Sequence, residues 1–270
     1  MSSFITYEQP LNENIRLCLR LESLFNQFKG FLKVDGVMHH RLALDCLLKI
    51  IDVSDRPELK SKMIQALHQQ AQALAQLGNN QSVDRDKLHQ LLQQLERLAL
   101  ALERSGRLKI GETLRQHPFL KQIRLQANNP GGIAEFNAPA YAAWLHQNDE
   151  RRRRDLNLWK KEFELLDSVV ALLLGITREG AEPARVMAHK AFYQQALDPQ
   201  AINQMVRVTL PANWQLYPEI SVGRHRLAIR FRSLFAEAYD DNGDRVPAEL
   251  PFQIHCCKLL TKHSEELAYL

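Results

Sequence analysis

Apolar residues in the first 180 positions recur at helical spacing. Between Leu11 and Leu32 they fall at Leu17, Leu21, Leu24, Phe28 and Phe31, alternating steps of four and three that trace one face of a helix. Asn12 or Thr6 is placed to cap it. A second helix is predicted from Met38 to Val53, with Leu44, Leu47, Leu48 and Ile51 on one side. Asp55-Arg56-Pro57 breaks it and opens a third, since proline is tolerated in a first helical turn. The third helix carries Leu59, Met63, Ala66, Leu67, Leu74 and Leu77 and ends at Gly78-Asn79-Asn80. Asp84 is the expected N-cap of a fourth, striped by Leu88, Leu91, Leu92, Leu95, Leu98 and Leu102. Helices three and four read as an antiparallel αα-hairpin whose leucines belong to a bundle core rather than to an exposed coiled-coil face. A short helix is expected near Ile110 to Gln116. The pattern from Phe119 to Leu125 is ambiguous, and Asn128 to Gly132 is a turn. Pro139 opens a short helix through Trp144. A long one then runs from Asp149 to about Thr177 on Leu156, Trp159, Phe163, Leu166, Val170 and Leu173.

After Gly180-Ala181-Glu182-Pro183 the period changes. Val186 to Gln194, Asn203 to Leu210, Arg224 to Arg232 and Leu250 to Cys256 read as strands. Val206, Val208 and Leu210 alternate with Arg207 and Thr209, and Asp240 to Asp244 is a hairpin-type loop. The expected fold is α+β. An N-terminal helical bundle with a long αα-hairpin spans residues 1–180, and an antiparallel β domain spans 181–270 and packs on it.

Composition narrows the function classes. The chain has 270 residues, 45% hydrophobic and 24% charged, as in a soluble globular protein. No apolar run is long enough to span a bilayer, and the opening MSSFITYEQP lacks the basic and apolar regions of a signal peptide. Four cysteines are too few for a disulfide framework, so a reduced cytoplasmic setting is expected. Net charge is +4, from 35 Lys+Arg and 31 Asp+Glu, milder than a dedicated nucleic-acid coat. Residues 1–180 hold the whole excess, with 25 basic and 21 acidic residues, while 181–270 balance at 10 and 10.

Local charge is more informative. In Arg224-His225-Arg226-Leu227-Ala228-Ile229-Arg230-Phe231-Arg232, period two puts His225, Leu227, Ile229 and Phe231 on an inward face. Arg224, Arg226, Arg230 and Arg232 share the other face, neighbours about 7 Å apart along the strand. The nonapeptide has no acid. The column is either a solvated outer face or a site whose carboxylates come from elsewhere in the fold or from a partner, a role suited to the planar guanidinium fork. The run Arg151 to Arg154 near a helix start opposes the macrodipole and reads chiefly as a solvated face.

Signals for chemistry are weak. The sequence holds no glycine-rich phosphate loop, nucleophile elbow or paired-histidine zinc motif. Cys256 and Cys257 point to opposite faces of a strand and cannot chelate together. His255, Cys256, Cys257 and His263 match no standard zinc spacing, and His39-His40 with Cys46 is no better. No enzyme, metal or cofactor is expected.

A series of short motifs runs along the chain. It starts at Tyr7-Glu8-Gln9-Pro10-Leu11-Asn12-Glu13, Arg16, Leu19-Arg20 and Glu22. It continues through Asp52-Val53 to Arg56, Pro130-Gly131-Gly132, Trp144-Leu145-His146, Phe192-Tyr193-Gln194 and Gln215 to Ser221. It ends in Arg226 to Phe231 and Cys256-Cys257. The order of these motifs resembles the ZapD (YacF) family of bacterial cell-division proteins, and Lys258 to Leu270 extends past that family's usual ending. The resemblance implies a cytoplasmic homodimer at midcell that binds the tubulin-like protein FtsZ by its C-terminal tail and bundles its protofilaments into the Z-ring during septation. It implies a basic pocket at Arg56, Arg226 and Arg230, to which spacing adds Arg224 and Arg232. No membrane or nucleic-acid partner is then expected. The rival reading is a nucleic-acid-binding module that uses Arg151–Arg154 together with the arginine strand, although aromatics do not interleave with those arginines as stacking platforms would.

Overall fold

A computed structural model describes residues 4–79, 84–106, 109–127, 129–198, 200–234 and 247–259. The expected loop at 240–244 lies outside them, as do His263 and all but the first two residues of the Lys258–Leu270 tail. The chain divides into two compact units. One comprises residues 17–71 and 89–173 and is helical. The other comprises residues 1–16, 72–88 and 174–270 and holds the sheet.

The helices follow the apolar periodicity closely. Helix α1, Glu13–Phe31, starts where Asn12 Oδ1 accepts from the Ile15 amide at 2.9 Å. Thr6, the other candidate cap, instead pairs its hydroxyl with that of Thr209. The buried face of α1 centres on Leu21, Phe25 and Phe28, turned slightly from the expected stripe. Helix α2, Val37–Val53, buries Leu44, Leu47, Leu48 and Ile51 as expected. Helices α3, Leu59–Ala75, and α4, Arg85–Arg104, follow. Asp84 Oδ1 caps α4 by accepting from the Asp86 and Lys87 amides, both at 3.0 Å. Helix α5 is Glu112–Gln116, and the ambiguous stretch is a helix, α6, Pro118–Ala127. Its proline sits in the first turn, where the missing N–H costs nothing.

Helix α7 is Pro139–Leu145. The expected long helix is two, α8, Asp149–Lys160, and α9, Glu164–Glu179, joined by a 3-10 turn over Lys161–Phe163. Asn148 caps α8, its Oδ1 accepting from the Arg151 amide at 2.8 Å. Trp144, Trp159, Phe119 and His117 stack in one cluster, the two indoles 6.1 Å apart.

The sheet has seven strands, all pairings antiparallel, in the order β1-β4-β7-β2-β3-β6-β5. Strand β1, Phe4–Pro10, comes from the N-terminus and was not expected. Strands β2, Ala184–His189, and β3, Phe192–Ala196, replace the single expected strand from Val186 to Gln194. The reversal falls at Lys190 and Ala191, with φ of 49° and 62°. Two consecutive positive φ values make a tight hairpin turn without glycine, so composition gives no warning of it. Strands β4, Ile202–Pro211, β5, Leu216–Val222, β6, Arg226–Ser233, and β7, Glu249–Leu259, complete the sheet.

Alternate residues of these strands form one core. Val206, Val208 and Leu210 meet Leu227, Ile229, Phe231, Leu250, Phe252 and Ile254 on the concave face. Tyr7 Oη on β1 donates to the Leu216 carbonyl on β5 at 3.0 Å. That bond joins the two end strands of the order, so the sheet curls nearly into a barrel.

Candidate functional site

Strand β6 carries the arginines. Its fully buried Leu227, Ile229 and Phe231 fix its register, because a slip by one residue would turn the whole apolar set outward. Arg226 and Arg230 are therefore held on the outer face, and both are exposed. Neither side chain has a hydrogen bond or ion pair among the described residues. Arg232 lies on the same face, with its Nε 3.2 Å from Glu219 Oε2 on β5. A carboxylate from elsewhere in the fold thus answers one member of the column.

Two expectations for this segment change. Arg224 and His225 precede the strand. They lie in the β5–β6 turn that the Gly223 amide closes onto the Arg226 carbonyl at 2.9 Å. Strand alternation does not reach them, so His225 is exposed rather than inward. Arg224 is exposed too, but not by membership of the strand face.

Arg56 belongs to the helical unit, at the corner between α2 and α3. That corner is held by charge. Asp52 Oδ1 accepts from Arg124 Nε and Nη2 at 2.9 and 2.6 Å, and Asp55 Oδ1 lies 3.1 Å from Lys109 Nζ and 3.5 Å from Arg115 Nε. These acids tie residues 109–124 to the corner that presents Arg56.

The run Arg151–Arg154 is not a uniform solvated face. Arg152 is buried, 2% exposed. Its Nε donates to His40 Nδ1 at 3.2 Å and its Nη1 to the Leu145 carbonyl at 2.7 Å. The Gln147 carbonyl and the Asp149 carboxylate complete its partners. Arg153 pairs with Asp35 and Arg151 with Asp155. Only Arg154 of the four lacks a partner among the described residues. The signal was present in the sequence, because Arg152 precedes Leu156, Trp159 and Phe163 at steps of four, three and four and so lies on the buried stripe.

Asp35, His40 and Asp149 bring ligand atoms within 4.8 Å of one another. Their charges are met by Arg152 and Arg153, and Arg152 takes His40 Nδ1. Burial and the Arg152 charge hold His40 below its ordinary value, against the pull of Asp149. The group is a guanidinium clamp between α2 and α8 and suits no cation. The thiols are also unsuited to nucleophilic work. Burial pushes Cys18 up to about 12 and Cys257 to about 11, and raises Cys46 and Cys256, the opposite of an activated thiolate.

In the sheet unit, Glu8 on β1 accepts from Arg178 Nε and Nη2 at 2.8 and 2.7 Å and from Arg207 Nε at 3.0 Å. Burial pushes its carboxyl up, but the hydrogen bonds and charges of the two guanidiniums outweigh burial and hold it below its ordinary value. This bridge fastens the end of α9 to β1 and β4. No helix among the described residues is long and apolar enough to cross a membrane.

Comparison with known proteins places the chain. The ZapD family model, described as a cell division protein, matches residues 19–230. "Cell division protein ZapD" of Coxiella burnetii (strain RSA 331 / Henzerling II) is 43% identical over 259 residues, covering 96% of this chain and all of the relative. The protein of that name from Dechloromonas aromatica (strain RCB) is 38% identical over 227 residues, 84% of this chain and 89% of the relative. Its counterpart from Janthinobacterium sp. (strain Marseille) is 34% identical over 257 residues, 94% and 99% of the two chains. The family match runs through the helices and reaches Arg230 in the arginine strand, and the chain belongs to the ZapD family of cell division proteins.

Proposed function

We propose that this chain is a non-enzymatic division factor that binds the C-terminal tail of FtsZ and cross-links FtsZ protofilaments as a homodimer in the cytoplasm at midcell. The observation that carries the reading is the outer face of β6, where Arg226 and Arg230 stand exposed with no carboxylate partner among the described residues. Two guanidiniums carried on one face of a paired strand suit a flexible acidic segment, because each can hold a carboxylate by two parallel hydrogen bonds. Arg56, held at its corner by the Asp52 and Asp55 ion pairs, is assigned to the same partner, with Arg224 and Arg232 in lesser roles. Arg232 is already engaged by Glu219.

A dimer repeats the site by symmetry. Two tails from different filaments are then tied together, and many weak contacts along a filament add by avidity. Bundling is expected to weaken as salt rises, since exposed charges are screened within about 8–10 Å. The nucleic-acid reading loses support from the pairing of Arg151, Arg152 and Arg153 within the fold.

The test is pelleting of FtsZ filaments with and without the protein. The double variant Arg226→Glu/Arg230→Glu is expected to lose co-sedimentation while keeping its circular dichroism spectrum and oligomeric mass. Undiminished bundling by that variant would sink the site. A variant held monomeric should bind a tail peptide yet fail to bundle, and bundling by a verified monomer would refute cross-linking.

A further inference from the structure

The row across the sheet at Arg230 is chemically asymmetric. In register, Arg230 faces Glu219 on β5 and Phe192 on β3. Glu219 is turned to Arg232. Phe192 is an aromatic side chain 39% exposed. A lone exposed apolar residue is ordinary; this one is held in place opposite Arg230, whose side chain has no partner among the described residues. Its neighbour Tyr193 packs edge-on against Phe252, ring centroids 5.2 Å apart, so the alternation of β3 sends Phe192 outward. The Phe231 amide donates to the Ala191 carbonyl at 2.9 Å and pins the turn just before it. Between Arg226 and Arg230 the next row is Gln194, Ala228 and Ser221, none of them charged.

We propose that Phe192 is a specificity-determining residue of this face. It selects, among acidic peptides, those that carry an apolar side chain next to the acid bound by Arg230. The proposal rests on the reading of Arg226 and Arg230 as a peptide site, and adds what that peptide must contain besides charge. Opposed residues on paired strands have Cβ atoms about 5 Å apart, so a ligand side chain beside its carboxylate reaches the Phe192 ring without leaving the arginine. Arg226 and Arg230 are about 13 Å apart along the strand, so an extended ligand meets them with acids four residues apart. Charge complementarity favours a protein segment over a lipid surface, because a lipid headgroup presents no apolar group at the level of its charge.

The experiment uses the full chain and two synthetic peptides of about a dozen residues with equal charge, their two glutamates spaced to match Arg226 and Arg230. One has leucine beside the second glutamate; the other has serine. Fluorescence anisotropy is expected to show the leucine peptide binding tighter, and Phe192→Ala to weaken it by about fivefold, a partial share of burying a phenylalanine. The serine peptide should be unaffected, and Phe192→Leu should restore most of the preference. Equal effects on both peptides, or none on either, overturn the proposal, as does binding to phosphatidylglycerol vesicles with no binding to either peptide. Filament pelleting by Arg226→Glu/Arg230→Glu tests the parent site separately, and its failure would be seen there whatever Phe192→Ala does.

Discussion

Replacing Arg152 with methionine keeps an unbranched apolar stem and removes the charge and donors at its end. The Leu145 and Gln147 carbonyls, His40 Nδ1 and the Asp149 carboxylate then lose a partner at once. Breaking one side of a buried charge pair costs about 3–5 kcal/mol. Asp149 is 43% exposed and regains water, which places the expected loss near the lower end, about 3 kcal/mol. Arg154→Met is expected to fall within about 0.5 kcal/mol of the parent, and Arg151→Met to lose only the ~0.3–0.5 kcal/mol of a helical ion pair. Urea unfolding followed by tryptophan fluorescence reads the difference. Trp144 and Trp159 stack within the helical unit, and Trp214, the third tryptophan, lies in the sheet unit. A Trp214→Phe background confines the signal to the helices. With a slope of about 3 kcal/mol/M the Arg152→Met midpoint should fall by about 1 M. A midpoint equal to that of Arg154→Met would refute the clamp and return the run to a solvated face.

Three further outcomes follow from the same contacts. His40 is held below its ordinary 6.5 in the fold, so the unfolded chain takes up its proton first as pH falls. Stability is complete above about pH 6.5 and declines below it, with a slope of at most about 1.4 kcal/mol per pH unit for one proton, and His40→Gln should remove that slope in urea midpoints measured from pH 7.5 to 5. Glu8 is likewise held below its ordinary 4.5. Its contribution is present above that value and lost as pH falls through the folded value, and Glu8→Gln should flatten acid unfolding of the sheet unit, monitored by Trp214 in a Trp144→Phe/Trp159→Phe background. Gly111 has φ of +72°, and a Cβ there would stand 2.5 Å from Phe163 Cζ. Gly111→Ala combines a disfavoured backbone with overpacking of about 1–3 kcal/mol, and Phe163→Leu in the same chain should relieve part of the loss in thermal melts.

The helices were legible because an apolar stripe with a cap at its head specifies one surface to bury. Asn12, Asp84 and Pro139 all act where the pattern placed them. Strand β1 was not legible. Phe4 and Ile5 are exposed and Glu8 is spent on Arg178 and Arg207, so alternation is weak and the strand exists because β4 offers it a ladder. The β2–β3 turn was missed for a related reason: Lys190 and Ala191 take positive φ without the Gly or Asn that would announce it. Strand β5 contains Pro218, a residue that argues against a central strand and is tolerated here at the end of the sheet order.

The two arginine runs show why residue spacing matters more than residue count. Four consecutive residues on a helix span its whole circumference, about 100° apart. Arg151–Arg154 cannot share a face, and one of them must meet whatever the helix packs against. Arg152 meets it; its charge is answered by Asp149 of the same helix, and its other donors by His40 of α2 and the Leu145 carbonyl of α7. Alternate residues on a strand share a face by construction, so Arg226, Arg230 and Arg232 accumulate potential there unless a neighbouring strand supplies an acid. Strand β5 supplies one, Glu219, and it is engaged by Arg232. Among the described residues one carboxylate on this face stands against three guanidiniums, although the 90 residues that contain it are balanced at 10 and 10. Glu219→Gln removes that carboxylate from the face and should tighten both acidic peptides alike, leaving unchanged the leucine preference that Phe192 confers. Unchanged affinity for both would mean that the charge at Glu219 lies outside the reach of the ligand.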